Sequence, residues 1–263
     1  MFIDAWMIAG LVTLVFVTAI WVLSLVLRDS SIVDIFWGLG FIAITWTLAA
    51  TGAGGLTPRA WLMAALVTAW GLRLSLHILW RNWGRGEDFR YRAWREQAGH
   101  AWWWRSYFKV FLLQGAVMWL VAAPVVAVLS RGQQAALNWI DGVGVLVWVV
   151  GFFFEAAGDW QLARFKSHPA NKGRLMTGGV WRYTRHPNYF GDSTIWWGHY
   201  LVAAASGAWW TAFSPVLMTF LLVRVSGVSM LETTLRETKP GYREYMESTS
   251  AFFPRPPRPR PRG

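Results

Sequence analysis

The sequence predicts an all-α integral membrane protein, a bundle of seven transmembrane helices, on three observations. The chain of 263 residues is 55% hydrophobic and only 15% charged, where soluble domains average about 25% charged. Uncharged runs long enough to cross a bilayer recur along it. The formal charge is nonetheless +11, from 25 Lys and Arg against 14 Asp and Glu; a chain both apolar and basic concentrates its cations in loops on one side of a membrane. Cys is absent, which excludes disulfides, thiolate metal sites, iron–sulfur clusters and a Cys nucleophile.

The spans follow in order. Trp6–Leu27 carries no charge. It lacks a basic leader and is followed by more spans, so it reads as retained rather than as a signal peptide. Ile35–Thr51 is the second span, ended by the Gly-rich turn 52–55. Ala60–Trp80 is the third and is interrupted by Arg73; Val110–Ser130 is the fourth and contains Pro124. Gly142–Gly158 is the fifth and carries Glu155. Pro187–Arg224 is long enough for two more, broken near Ser206-Gly207.

Charge supports seven crossings. The loop at Arg28, the loops 81–109 and 159–186, and the C-terminal tail then share one side and hold 21 of the 25 Lys and Arg. Only Arg59 and Arg131 fall on the other side. The positive-inside rule places the C-terminus in the cytoplasm and the N-terminus outside, at the inner membrane if the source is bacterial. One membrane domain, 1–253, precedes a Pro/Arg tail, Pro254–Gly263, expected to be extended beside anionic headgroups.

Several chemistries are excluded or unsupported. There is no G-x-G-x-x-G after a strand, no G-x-x-x-x-G-K-[ST] and no H-E-x-x-H. The five His are scattered, so no His-based metal site is expected. The positive-inside rule accounts for the basic loops without nucleic acid, and no obligate protein partner is evident.

Ionisable side chains inside spans are costly and default to functional candidates. Asp34 opens the second span, as a cap or as a functional acid. Arg73 and His77 lie four apart on one face of the third. Glu155 and Asp159 are likewise four apart at the end of the fifth, and Arg224 ends the seventh. Two carboxylates on one helix face repel. They need cations or donors to stay ionised, from neighbouring arginines or from the hydroxyl and amide groups of a ligand. Arg85 lies between Gly84 and Gly86, where the backbone lets a cation approach an anionic ligand closely. Pro187 suits the first position of a helix. The helix N-terminus beside Arg185 and His186 is a natural anion site, unless those cations contact headgroups. Asn188, Tyr189 and Asp192 are not explained by headgroups. Tyr242 and Tyr245 fit an amphipathic surface helix.

The run Leu175-Met176-Thr177-Gly178-Gly179-Val180-Trp181-Arg182-Tyr183-Thr184-Arg185-His186-Pro187-Asn188-Tyr189-Phe190-Gly191-Asp192 resembles the C-terminal signature of the steroid 5α-reductase family. Within that family the chain is most similar to the bacterial steroid 5α-reductase-like membrane proteins. Asp34-Ile35-Phe36-Trp37-Gly38, the loop Arg81–Arg92, Ser226-Gly227-Val228 with Leu231-Glu232, and Gly241-Tyr242 fit as well. The resemblance covers most of the chain and is strongest from Gly151 to Pro254. It implies a seven-helix membrane fold, NADPH as cofactor, and reduction of the C=C bond of α,β-unsaturated ketones such as 3-oxo-Δ4-steroids. The steroid or other lipophilic enone would enter from the membrane lipids.

Carried over by position, Glu155 and Asp159 would face the nicotinamide amide and its ribose. Lys166, Arg174, Asn188 and Arg224 would bind phosphates or the adenosine ribose, joined by Arg85, Tyr183, Arg185, His186 and Tyr189. Asp192 matches an acidic position near the cofactor, and Glu232 falls where the family often has Tyr. A Glu and a Tyr from the early helices stabilise the developing oxyanion in that family. Asp34 matches the Glu; with no Tyr in the third span, Arg73 or His77 stands in for the Tyr. The Arg-His-Pro-x-Tyr core is shared with isoprenylcysteine carboxyl methyltransferases, which use S-adenosylmethionine. Asn188, Asp192 and the paired acids favour the reductase.

Overall fold

A computed structural model describes residues 2–52, 56–131, 136–225 and 228–258. Residues 53–55 of the Gly-rich turn, Ser226 and Gly227 of the family signature, and tail residues 259–263 lie outside the described residues. The described residues are helical throughout, with no strand; Thr184 and Ser250 form one isolated bridge. The helices are α1 (Phe2–Leu27), α2 (Ile32–Thr51), α3 (Pro58–Asn82), α4 (Phe89–Ala98), α5 (Trp102–Ser106), α6 (Leu113–Val121), α7 (Ala123–Leu129), α8 (Trp139–Ser167), α9 (Pro187–Ala205), α10 (Phe213–Phe220), α11 (Val228–Thr238) and α12 (Tyr242–Ser248). They form two compact units. One comprises Met1–Asp141 with Val202–Ser214, the other Gly142–Leu201 with Pro215–Gly263.

Four helices, α1, α2, α3 and α8, are long and apolar enough to cross a membrane, and a fifth crossing follows if the bent pair Phe89–Val121 and Ala123–Leu129 counts as one. That is a multi-pass pattern short of the seven crossings expected. Helix α9 has 19 residues, but Asn188, Asp192 and His199 dilute its hydropathy. The apolar segment Trp209–Val225 is below span length.

The loop expected at 81–109 is largely helical. Asp88 accepts from the Arg90 amide at 3.0 Å as the N-cap of α4. Helical backbone then continues through α5 and a π-turn, Tyr107–Leu112, into α6. Helical backbone therefore begins well before Val110. It bends by 51° at Ala122, where Pro124 supplies no N–H to the preceding turn.

In the first unit, α2 and α3 approach backbone to backbone. A Cβ on Gly71 would lie 2.6 Å from the Gly38 carbonyl oxygen. Val17, Ile20, Ile32, Val33, Tyr91, Trp102, Val110 and Phe111 pack as one core. Arg59, assigned to an outside loop by charge counting, is instead buried at 1% exposure. Its Nε and Nη2 donate to Asp141 at 2.8 and 2.7 Å, and this fork ties the start of α3 to the start of α8.

In the second unit the close pair is α8 and α9. Glycines recur every seven residues on both, at 144, 151 and 158 and at 191 and 198. A Cβ on Gly151 would lie 2.6 Å from the Ile195 nitrogen and 2.7 Å from the Gly191 oxygen. A Cβ on Gly198 would lie 2.7 Å from Cβ of Trp148. Small residues at such spacing let helices meet at backbone distance where lipid gives no hydrophobic drive.

Gly151→Leu puts a branched side chain against fixed backbone atoms. It is expected to cost more than the roughly 1–3 kcal/mol of ordinary overpacking and to lower the thermal midpoint in detergent by several degrees or prevent folding. Gly142→Ala, where a Cβ would meet nothing within 4 Å, serves as control. A wild-type midpoint for Gly151→Leu would refute the backbone contact.

Candidate functional site

The α8–α9 contact brings the second unit's polar side chains together. Glu155 and Asp159 stand one turn apart on α8, and Asn188, Gly191 and Asp192 lie on the first turns of α9. A Cβ on Gly191 would lie 2.7 Å from the Cβ of Glu155, so only glycine lets α9 cross there. Glu155 is 3% exposed, while Asp159, Asn188 and Asp192 are half-buried. Asn188 Nδ2 donates to Asp159 Oδ1 at 3.2 Å. The carboxylate face thus already receives an amide donor. The segment before α9 folds back onto α8: Trp181 Nε1 donates to the Gly158 carbonyl at 3.0 Å and the Val180 amide to Gln161 Oε1 at 3.0 Å. Gly179 makes that turn with φ of 61°.

Arg185 and His186, expected beside an anion at the α9 N-terminus, are engaged instead with Glu232. They are 7% and 3% exposed and point inward. Arg185 Nε and Nη2 reach Glu232 Oε1 at 2.8 and 2.6 Å, and Nη1 donates to the carbonyls of Met246, at 3.1 Å, and Thr249. His186 Nε2 lies 3.3 Å from the same Glu232 oxygen, and its ring stacks on Tyr189 at 5.6 Å. A buried guanidinium needs its charge and its N–H groups matched, and protein acceptors do so here. Glu232, expected at a cofactor-binding position, is the counter-ion. Burial works against its carboxylate, but hydrogen bonds and charge from His186 and Arg185 outweigh it and hold the pKa below the ordinary glutamate value. Burial, and then the charge of Glu232, pushes the nearby Tyr242 phenol up to about 12.

The chain beyond α11 closes over this segment. The Tyr245 hydroxyl donates to the Trp181 carbonyl. The Arg185 amide donates to Ser250 at 2.9 Å, Thr184 Oγ1 to Phe252 at 2.8 Å and the Arg255 amide to Tyr183 at 2.9 Å, each at a backbone carbonyl. The surface helix expected at Tyr242 and Tyr245 is α12, yet both rings are buried, at 2% and 7% exposure. Of the other expected cofactor residues, Lys166, Arg174, Tyr183 and Arg224 are exposed.

In the first unit, Asp34 does more than cap α2. The Tyr91 hydroxyl donates to its Oδ1 at 2.9 Å, Arg90 Nη2 reaches Oδ2 at 3.4 Å, and Gln114 Nε2 donates to the Tyr91 oxygen at 3.2 Å. The partner of Asp34 is therefore Tyr91, from α4, rather than Arg73 or His77. Those two are half-buried on α3, with the His77 ring 6.1 Å from Trp80. Tyr91 was not marked by the sequence reading. The available signal was Asp88, a helix-capping residue ahead of Phe89-Arg90-Tyr91, which puts this Tyr on a helix instead of a loop. Glu87 anchors the same corner: it accepts from the Ser30 amide at 2.7 Å and from Arg95 Nε and Nη2 at 2.8 Å each. Burial opposes the Glu87 carboxylate, and these bonds more than offset it, lowering its pKa. Arg85 is exposed in the turn between Gly84 and Gly86, both with φ of 71°.

A family described as protein of unknown function (DUF1295) matches residues 20–249. The chain belongs to this family. The family is related to the steroid 5α-reductase-like membrane proteins. An uncharacterized protein of Schizosaccharomyces pombe is 26% identical to the chain, over 90% of this chain and 76% of that protein. A probable O-methyltransferase of Ustilaginoidea virens is 34% identical over 80 residues, 30% of this chain and 28% of that protein. No solved structure matches.

The Glu232 network fixes a pH response. A carboxylate whose folded pKa is depressed adds stability above its unfolded pKa, about 4.5, and that stability is lost as pH falls through the folded value. Thermal stability is thus expected to drop as pH is taken from neutral to below about 4.5. Glu232→Gln should flatten this part of the profile and cost roughly 3 kcal/mol at neutral pH, because Arg185 stays buried without its counter-ion. An unchanged profile in Glu232→Gln would show that the ion pair does not control it.

Proposed function

We propose that this protein is an NADPH-dependent membrane reductase of the C=C bond of lipophilic α,β-unsaturated ketones, the 3-oxo-Δ4-steroids among them. The observation that carries the reading is the hydrogen bond from Tyr91 to Asp34. It supplies the phenol-and-carboxyl pair that the steroid 5α-reductase resemblance requires and that the third span lacks.

The residues of the second unit fit the cofactor in their chemistry. Glu155 and Asp159 offer acceptors for a carboxamide and ribose hydroxyls, and Asn188 adds an amide. Lys166, Arg174 and Arg224 are exposed cations suited to phosphates. Arg185, His186 and Glu232 bind nothing in this reading; they hold the signature segment in place. NADPH, when held by these residues, would supply the hydride that the enone's β-carbon accepts. As negative charge grows on the carbonyl oxygen, the Tyr91 hydroxyl donates to it. Asp34, protonated, would donate to the Tyr91 oxygen in place of the bond it accepts here, Gln114 would hold the phenol oriented, and a proton from water would complete the α-carbon as the enolate collapses to the ketone. With α9 and the segment Trp209–Val225 counted as a sixth and a seventh crossing, the positive-inside rule would put the basic loops on the cytoplasmic side, where the cofactor is found.

The 80-residue similarity to a probable O-methyltransferase favours a second reading, an S-adenosylmethionine-dependent membrane methyltransferase. Binding of NADPH and of S-adenosylmethionine to the purified protein separates the two. NADPH binding, and its oxidation with a panel of enones, is expected; S-adenosylmethionine binding without NADPH binding would overturn the reductase.

Within the reductase reading, Tyr91→Phe and Asp34→Asn should each lower the reduction rate by about 10²–10⁴-fold with NADPH affinity unchanged. Arg174→Ala should weaken NADPH binding and spare substrate binding. Wild-type rates in Tyr91→Phe would remove the Tyr91–Asp34 pair from the mechanism.

A further inference from the structure

The end of the described chain is a held strap with a polar cavity beneath it. Pro254, Pro256 and Pro257 restrict φ and favour an extended backbone. Two amides fix its path: Arg255 N–H donates to the Tyr183 carbonyl and Arg258 N–H to the Ser248 carbonyl, both at 2.9 Å. The cavity has a volume of about 280 Å³ and is lined by Arg185, residues 246–251, Arg255, Pro256 and Arg258. The three guanidinia are not equivalent. Arg185 is neutralised by Glu232. Arg255 and Arg258 have no carboxylate partner among the described residues, and Glu247, which also lines the cavity, forms no ion pair with either. Ser248, Thr249 and Ser250 also line the cavity.

We propose that Arg255 and Arg258 form, over this cavity, a binding pocket for a phosphate group. Two cations, preordered by a proline-locked backbone and left without an internal counter-ion, match a mono- or diester phosphate through forked hydrogen bonds. The size fits the group. Cavities for whole drug-sized ligands run to about 300–1,000 Å³, so this one suits a phosphate and its immediate attachment, not a whole dinucleotide. Lipid headgroups and soluble phosphates present the same chemistry. The inference is independent of the reductase reading, because no residue given a cofactor or catalytic role there lines the pocket; Arg185, which does, only holds the signature segment in that reading.

The test uses the full chain in neutral detergent. Binding of phosphatidic acid, phosphatidylglycerol and phosphatidylcholine is measured by native mass spectrometry, and binding of inorganic phosphate by titration. The double variant Arg255→Gln with Arg258→Gln is compared with Arg236→Gln and Arg243→Gln. The control removes two exposed arginines of the same unit from outside the pocket. Loss of affinity by about tenfold or more in the Arg255/Arg258 variant alone supports the pocket. Selective loss toward anionic lipid identifies a headgroup, and selective loss toward inorganic phosphate identifies a soluble ligand. Equal losses in both double variants would reduce the effect to diffuse surface charge and overturn the proposal, as would undiminished binding in the Arg255/Arg258 variant. Both replaced side chains lack internal ion pairs, so the fold is expected to survive; an unchanged thermal midpoint checks this.

Discussion

The second unit depends on the backbone-to-backbone contact of α8 with α9. In a membrane, apolar surface gains little by meeting apolar surface, so helices associate through close van der Waals fit. Glycines spaced by sevens on both helices supply that fit. The contact fixes the rest: it brings Asn188 to Asp159, passes Gly191 over Glu155, and orients the N-terminal turn of α9 toward the segment that precedes it. A single side chain at Gly151 or Gly191 would separate the helices and scatter the polar residues they align.

Held in this way, the segment 179–186 becomes a junction rather than a ligand loop. Arg185 brings a full charge into an interior where isolated charge is not tolerated, and Glu232 with two carbonyls satisfies it. The positively charged residues of this protein therefore have three different duties. Some are spent internally, as Arg185 and Arg59 are. Some, such as Arg90, hold an acid in place. Others, Lys166 and Arg174 among them, remain exposed. Composition and loop position make all of them look alike; only burial and partners separate the groups.

Much of the helical framework was legible in the sequence because its signals are local. Apolar runs marked α1, α2, α3 and α8, Pro187 marked the start of α9, and Pro124 marked a bend. The helix within 81–109 is hidden from hydropathy, because its Arg and Glu residues lower the apolar signal and Asp88, its capping residue, does not register as a start. The polar site was legible as a set of residues but not as a set of pairs. Asp34 was visible, whereas Tyr91, 57 residues away, belongs to it only once α4 is folded. In the same way Arg185 and Glu232, 47 residues apart, read as two ligand-binding residues until the fold makes them each other's partner. Which residues far apart in the chain meet in space is the information that one sequence does not carry.

The clasp between Trp181–Arg185 and Tyr245–Arg255 also orders events in time. Its hydrogen bonds join groups 61 or more residues apart, so the earlier half leaves the ribosome well before the later half exists. Until then the Trp181 carbonyl, the Arg185 amide and the Arg185 guanidinium must be served by water or by transient partners. The signature therefore matures late in biogenesis, after α9 and the apolar segment following it have been made. A nascent chain halted before Tyr245 would present this segment unfinished, a distinguishable state for the insertion and quality-control machinery of the membrane.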